Sequence, residues 1–372
     1  MSGNEVRFAD LGRATQALRP DLESALARVL DSGWYVLGRE GEGLERELAG
    51  LLGTTHAVGV ASGTDAIELA LRALDIGAGD EVVTQANTCI PTVAAIERAG
   101  ARPVLCDVDP TSAAIDVDSL RAALGLRTRA VVPVHLYGQV GPLGEVLELA
   151  AERGVAVVED CAQAHLATYR NRCAGTWGAL GAFSFYPTKN LGALGDGGAV
   201  VTADESLDAR LRRLRVYGQA DRYHHVERGV NSRLDEVQAA LLRVKLGHLE
   251  RWHVRRNEIA NHYDEALADT PVVPLRRLPE REHAFHLYVV RTPHRQAFQD
   301  GLAERGVQTL VHYPRPVHGH EAYRELGDGP VSLQRAEELA EEVVSLPLYP
   351  ELEEREVALV ADAARACAIE LS

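Results

Sequence analysis

The sequence predicts an α/β protein in which a mostly parallel central sheet is followed by a smaller C-terminal α/β domain. Two observations carry this. From about residue 54 to 202, short apolar, β-branched runs alternate with helical stretches, the pattern of parallel strands covered on both faces. Beyond a long helical run over 231–268, the break Thr270-Pro271-Val272-Val273-Pro274 opens a second, shorter α/β series. The expected division is a large domain over residues 1–250 and a small one over 251–372.

The elements follow in order. Residues 55–60 read as a strand, and 65–74 as a helix with apolar side chains at i, i+3 and i+4. A strand at 81–84 is followed by a helix through 93–98, and strands at 103–106, 130–134 and 155–158 repeat the rhythm around a helix at 143–153. Runs at 182–186 and 198–202 have no long helix between them and suit a hairpin-like or crossed element at one side of the sheet. The long run is amphipathic through Leu234, Val237, Leu241, Leu242, Leu246 and Leu249, and its length suits a bridge between domains or a contact with a partner subunit. After it, 286–291 and 308–312 read as strands, and 295–305, 333–343 and 354–368 as helices.

The 372 residues carry 39 basic and 54 acidic side chains, a net charge of −15. That balance argues against a nucleic acid or a membrane surface as partner, since both require a basic footprint. No apolar run approaches the roughly 18 residues of a membrane span. The start, Met1-Ser2-Gly3-Asn4-Glu5, shows no basic segment followed by an apolar one, so no secretory signal is expected. Cys89, Cys106, Cys161, Cys173 and Cys367 are odd in number and form no CxxC pair, which suits reduced thiols in the cytoplasm and no metal site. Among the basic residues only two, Lys189 and Lys245, are lysine. Any mechanism needing a side-chain primary amine therefore has two candidates.

Lys189 follows Phe183-Ser184-Phe185-Tyr186-Pro187-Thr188 and precedes the glycine-rich stretch 192–198. A lysine at the exit of a buried strand can reach a cleft at the sheet edge; on position alone, a solvated loop lysine fits as well. Lys245 lies within the amphipathic helix, where a solvated face explains it. Asp160 closes the run Val155-Ala156-Val157-Val158-Glu159-Asp160, at the end of a parallel strand where ligands bind. It suits either a turn cap or a carboxylate pairing with a protonated ring nitrogen. Gln163, three residues on, offers a donor to a ring oxygen. Ser62-Gly63-Thr64-Asp65 opens a helix, so it is first a capping sequence, and its free N–H groups also suit a phosphate. Ser184 and Asn231 add neutral donors.

Four stretches in this order resemble the sugar-nucleotide aminotransferases of the DegT/StrS type, pyridoxal-phosphate (PLP) enzymes with the aspartate aminotransferase-like fold. They are Ala61-Ser62-Gly63-Thr64-Asp65-Ala66, Val158-Glu159-Asp160-Cys161-Ala162-Gln163-Ala164, Phe183 through Asn190, and Gly229-Val230-Asn231-Ser232-Arg233-Leu234-Asp235. The resemblance implies that Lys189 binds the cofactor as an imine and moves protons, Asp160 pairs with the pyridine nitrogen, and Gln163 lies near the phenolic oxygen. It further implies that Gly63, Thr64 and Ser184 hold the phosphate and that Asn231 reaches the cofactor of the other subunit, making a homodimer the minimum active unit. Cys89 stands where the family commonly places an aromatic stacked on the ring, and a thiol gives that face softer contact. Relatives that dehydrate sugars carry His in place of the lysine, which Lys189 argues against.

The activity implied is a ping-pong transamination, with L-glutamate as amino donor and a nucleotide-linked keto sugar as acceptor. Tyr186 and the pair His312-Tyr313 are candidates for orienting the sugar; a core tyrosine and a solvated loop are their structural alternatives. The stretches Val134-His135-Leu136-Tyr137-Gly138-Gln139 and 223–233 look most like members acting at C3 of dTDP-3-keto-6-deoxyhexoses, while C4 and scyllo-inosose-type aminotransferases share the cofactor residues. A non-catalytic regulator or partner protein that kept the fold is the rival of another class, and Lys189 with Asp160 argues against it. An α/β hydrolase lacks its GxSxG elbow.

Overall fold

The computed structural model describes residues 5–371. Its centre is a seven-stranded sheet: β1 (His56–Val60), β2 (Glu81–Gln85), β3 (Arg102–Cys106), β4 (Thr128–Val132), β5 (Ala156–Asp160), β6 (Leu180–Ser184) and β7 (Gly198–Thr202). The spatial order is β1-β7-β6-β5-β4-β2-β3. Every neighbouring pair from β6 to β3 is parallel, and only β7 runs antiparallel, to both β6 and β1. The expected hairpin-like element is therefore the β6–β7 pair, and the segment joining its strands carries Lys189.

The strands are apolar on both faces because helices cover both. With a period of two, Val82, Val132 and Val158 point to one side, while Val83, Val131 and Val157 point to the other. In chain order after the N-terminal helices α1 (Leu11–Ser32) and α2 (Arg39–Leu52), helices α3 (Gly63–Ala73) and α4 (Ile90–Arg98) pack against the first set through Ile67, Leu71 and Ile96. The second packs against α5 (Val117–Ala123) and α6 (Leu143–Arg153) through Leu120, Val146 and Leu149. This sandwich turns the C-terminal ends of β2, β4, β5 and β6 to a common edge, and the chemistry is built there.

The C-terminal part forms its own core around Ile259, Tyr263, Phe298, Leu302, Val360 and Ala364, closed by Val6 from near the N-terminus. Three short antiparallel strands, β8 (Val273–Pro274), β9 (Tyr288–Arg291) and β10 (Val343–Leu346), lie in that order. No described helix is long and apolar enough to cross a membrane.

Two expected elements are corrected. The single long helix over 231–268 is two helices, Glu236–Leu246 and Leu249–Leu267, and residues 231–235 are not helical. At Gly247 the turn tightens: the His248 amide donates to the Lys245 carbonyl, three residues back, at 2.9 Å. Residues 231–235 are held by tertiary bonds instead, with Asn231 bridging Val216 and Asp235 bridging Val36. The strand expected at 308–312 is reduced to one bridge, Leu310 with Ser345. Pro314 and Pro316 follow closely and remove donors, so the segment turns into the site instead of extending a ladder.

Candidate active site

Lys189 lines a cavity of about 430 Å³ at the C-terminal edge of the sheet, together with Gly63, Thr64, Cys89, Asp160, Gln163, Ser184, Tyr186, His312 and Tyr313. Ten of the eleven expected site residues thus meet in one place. Asn231 does not: it is exposed and lies outside this cavity, while its neighbour Ser232 is fully buried. The Ser232 hydroxyl donates to Asp65 Oδ2 at 2.7 Å and accepts from the Ala61 amide at 3.0 Å, which bolts the 229–235 stretch to the Ser62–Asp65 turn.

That turn is both cap and cup. Ser62 Oγ accepts from the Asp65 amide at 3.1 Å, the N-cap that the sequence suggests, and Gly63 and Thr64 then begin α3. A Cβ on Gly63 would lie 2.5 Å from Ser184 Cβ, so only glycine lets the end of β6 close against the helix start. Gly198 is equally constrained, since a Cβ there would stand 2.5 Å from the Ser62 carbonyl carbon. The result is a concave, neutral pocket of N–H and hydroxyl groups at the positive end of a helix, suited to a phosphate.

Asp160 is 4% exposed at the end of β5. Its Oδ2 accepts from Thr92 Oγ1 at 2.8 Å and its Oδ1 from the Ala162 amide at 3.0 Å. Thr92 is in turn 2.8 Å from Thr88 Oγ1. Both donors fix the orientation of the carboxylate at the strand end, where it can face a protonated ring nitrogen. Gln163 Oε1 accepts from the Tyr137 amide at 2.6 Å, and its Nε2 donates to Tyr313 Oη at 3.2 Å. Burial pushes the Tyr313 phenol well above the ordinary range, and neighbouring Cys89 adds to the rise. Cys89 itself is the N-cap of α4 and makes no capping bond there. Tyr186 is half exposed at the mouth.

The Lys189 amine has no hydrogen-bond or ion-pair partner among the described residues. Burial lowers its pKa, opposed by the charges of Asp160 and Cys89. A desolvated amine of this kind is closer to the neutral form that attacks a carbonyl. His312 Nδ1 lies 2.8 Å from Ser345 Oγ, and burial, then Lys189, pushes its pKa down to about 4. The amine, the paired carboxylate and the neutral cup fit PLP residue by residue.

The sequence reading missed Thr88, Thr92 and His286, which also line the cavity, and His165 beneath it. Thr88 and Thr92 flank Cys89 at i, i+4 spacing across the start of α4, a signal readable only once that helix is placed at the site. Lys245 is corrected outright. It is 7% exposed, and its ammonium donates to the Gly192 carbonyl at 2.6 Å instead of facing solvent.

The model of the DegT/DnrJ/EryC1/StrS aminotransferase family matches residues 16–365. The dTDP-3-amino-3,4,6-trideoxy-alpha-D-glucose transaminase of Streptomyces venezuelae is 47% identical over 363 residues, covering 97% of this chain and 95% of the relative. The crystal structure of S. venezuelae DesV in complex with a ketimine intermediate superposes with a TM-score of 0.95 at 47% identity, covering 98% of both chains. The PLP form of the putative sugar aminotransferase Spr1654 from Streptococcus pneumoniae superposes with a TM-score of 0.88 at 26% identity, covering 95% of this chain and 97% of that one.

Proposed function

The chain belongs to the DegT/DnrJ/EryC1/StrS aminotransferase family of PLP enzymes, and from that premise we propose that it aminates C3 of a dTDP-linked keto-6-deoxyhexose with L-glutamate as donor. The observation that carries the reaction is the placement of Lys189, a desolvated amine without a partner, in one cavity with Asp160 and the Gly63–Ser184 cup. The 47% identity to a dTDP-3-amino sugar transaminase over 97% of the chain supports C3.

Bound PLP supplies an electron sink for the carbon that loses its proton. The protein's own part is to hold and to move protons. Lys189 Nζ would take the proton from the substrate carbon and return it in each half-reaction. Asp160, fixed by Thr92 and the Ala162 amide, would hold the ring nitrogen of the bound cofactor. Gln163 and Tyr313, joined to one another, set the polar edge of the cavity, and Tyr186 and His312 flank the path of the sugar.

We place the working unit as a cytoplasmic homodimer. The exposed aromatics Trp34, Tyr35, Tyr217 and Tyr223 offer apolar surface for such a contact. We assign Asn231, exposed beside the buried Ser232, to the partner's cofactor. Mixing the separately inactive Lys189→Ala and Asn231→Ala variants should then restore activity, because hybrids contain one intact site; mixtures as inactive as their parents would contradict the shared site.

Regiochemistry is tested by offering C3-keto and C4-keto dTDP-sugars with glutamate and locating the new amine by NMR. Amination at C3 is expected. Amination only at C4 overturns the substrate and leaves the reaction type standing.

A further inference from the structure

A second cavity, of about 270 Å³, reaches Lys189 from the other side of its loop, between the segment around Leu11 and residues 348–351. Besides Lys189, two further cations line it, and of the two acids on its wall Asp10 is already ion-paired with Arg7 and Arg13. Lys245 and Arg256 are each 7% exposed, and neither forms an ion pair with a carboxylate among the described residues. The Lys245 ammonium uses one donor, on the Gly192 carbonyl, and keeps two unspent. Arg256 Nη1 donates to the carbonyls of Phe285 at 2.9 Å and Leu348 at 3.0 Å, while its buried Nε makes no hydrogen bond. The buried Tyr349 hydroxyl, also on this wall, has no partner either.

Glu351 is the acid whose charge acts on both cations. Burial raises its pKa, lowers that of Lys245 and brings that of Arg256 down to about 10. With Asp10 held by Arg7 and Arg13, Lys245 and Arg256 face Glu351, which forms no ion pair among the described residues, and a buried charge is costly until it is paired. The remaining wall is largely apolar, through Trp252 and Leu348 among others.

We propose that this rear cavity binds a short-chain aliphatic monocarboxylate, with the carboxylate between Lys245 and Arg256 and the tail against Trp252 and Leu348. A carboxylate on the ligand gives Lys245 and Arg256 the ion-pair partner that neither has among the described residues. The site shares the wall of Thr188, Lys189, His286 and His312 with the sugar-nucleotide cavity, but Lys245 and Arg256 do not line that cavity, and the proposal does not rest on the substrate assigned there.

The test is saturation-transfer NMR with butyrate on the cofactor-loaded enzyme. A saturable signal is expected, weakened about tenfold or more by Lys245→Met, which removes a charged donor, and strengthened severalfold by Glu351→Gln, which removes the competing acid. Added dTDP should leave the signal unchanged. If Lys245→Met fails to fold, Glu351→Gln alone decides. No saturable signal in the wild type, no tightening in Glu351→Gln, displacement by dTDP, or equal binding of inorganic phosphate each overturns the proposal.

Discussion

At Asp160 the carboxylate is held from two sides, by Thr92 Oγ1 at 2.8 Å and the Ala162 amide at 3.0 Å. Thr92→Val keeps the side chain's shape and deletes one donor, so kcat should fall by roughly tenfold, the worth of one hydrogen bond to a charged group. Steady-state kinetics at matched cofactor content checks it; an unchanged kcat would show that Thr92 only packs. Gly63 is the second residue on which the site turns. Gly63→Ala places a Cβ 2.5 Å from Ser184 Cβ, which forces β6 away from the cup, so cofactor retention through dialysis should drop by about tenfold or more, read from the visible absorbance. Retention equal to wild type would mean that the cup is not the phosphate site. Cys89 lines the cavity near Tyr313, so the thiol borders the polar edge that Gln163 and Tyr313 form.

Among the elements, the strand–helix alternation was legible because both faces of the sheet are buried, so Val82/Val83 and Val131/Val132 each point to a helix layer and leave continuous apolar runs. The Lys189 segment was legible because β6 is fully buried and its glycines are forced. What the sequence hid was tertiary. Asn231 to Asp235 carry helical periodicity, yet Ser232 bonds to Asp65 and Ala61 and pulls the chain straight. Residues 308–312 have strand composition, but Leu310 with Ser345 is the one ladder bridge they form among the described residues. The charge of Lys245 suggested solvent, and only the packing of the Gly192 loop shows it buried. The break between the two long helices gives a prediction at this scale. Gly247 has helical φ −63° and a Cβ there would meet nothing closer than the Val244 carbonyl at 3.5 Å. Gly247→Ala should therefore stabilise the fold by about 0.5–1 kcal/mol, seen as a raised thermal midpoint; a lowered one would show that the break needs glycine's freedom.

Over the whole molecule, buried histidines tie stability to pH. Burial pushes His165 and His283 down to about 3 and His312 to about 4, against about 6.5 in the unfolded chain. Their folded pKa values lie below the unfolded ones, so between about pH 6.5 and pH 4 the unfolded state binds more protons. Stability from these groups is complete above that window and is lost as pH falls through it. His165, whose two ring nitrogens make no hydrogen bond and which packs against Phe183 and Phe185, isolates one such contribution. His165→Phe should flatten the acid slope by one proton, about 1.4 kcal/mol per pH unit, in chemical unfolding across that window; an unchanged slope would contradict the linkage. The same whole-chain view turns composition into a decisive experiment. The chain has two lysines, one bonded to a carbonyl and one unpaired beside Asp160. Arginine, which replaces lysine elsewhere, holds its proton too tightly to form an imine. Borohydride reduction of the PLP-loaded protein, followed by mass spectrometry of its peptides, reads the outcome directly. The account predicts the pyridoxyl group on the peptide bearing Lys189 alone; the group on Lys245, or on neither lysine, contradicts it.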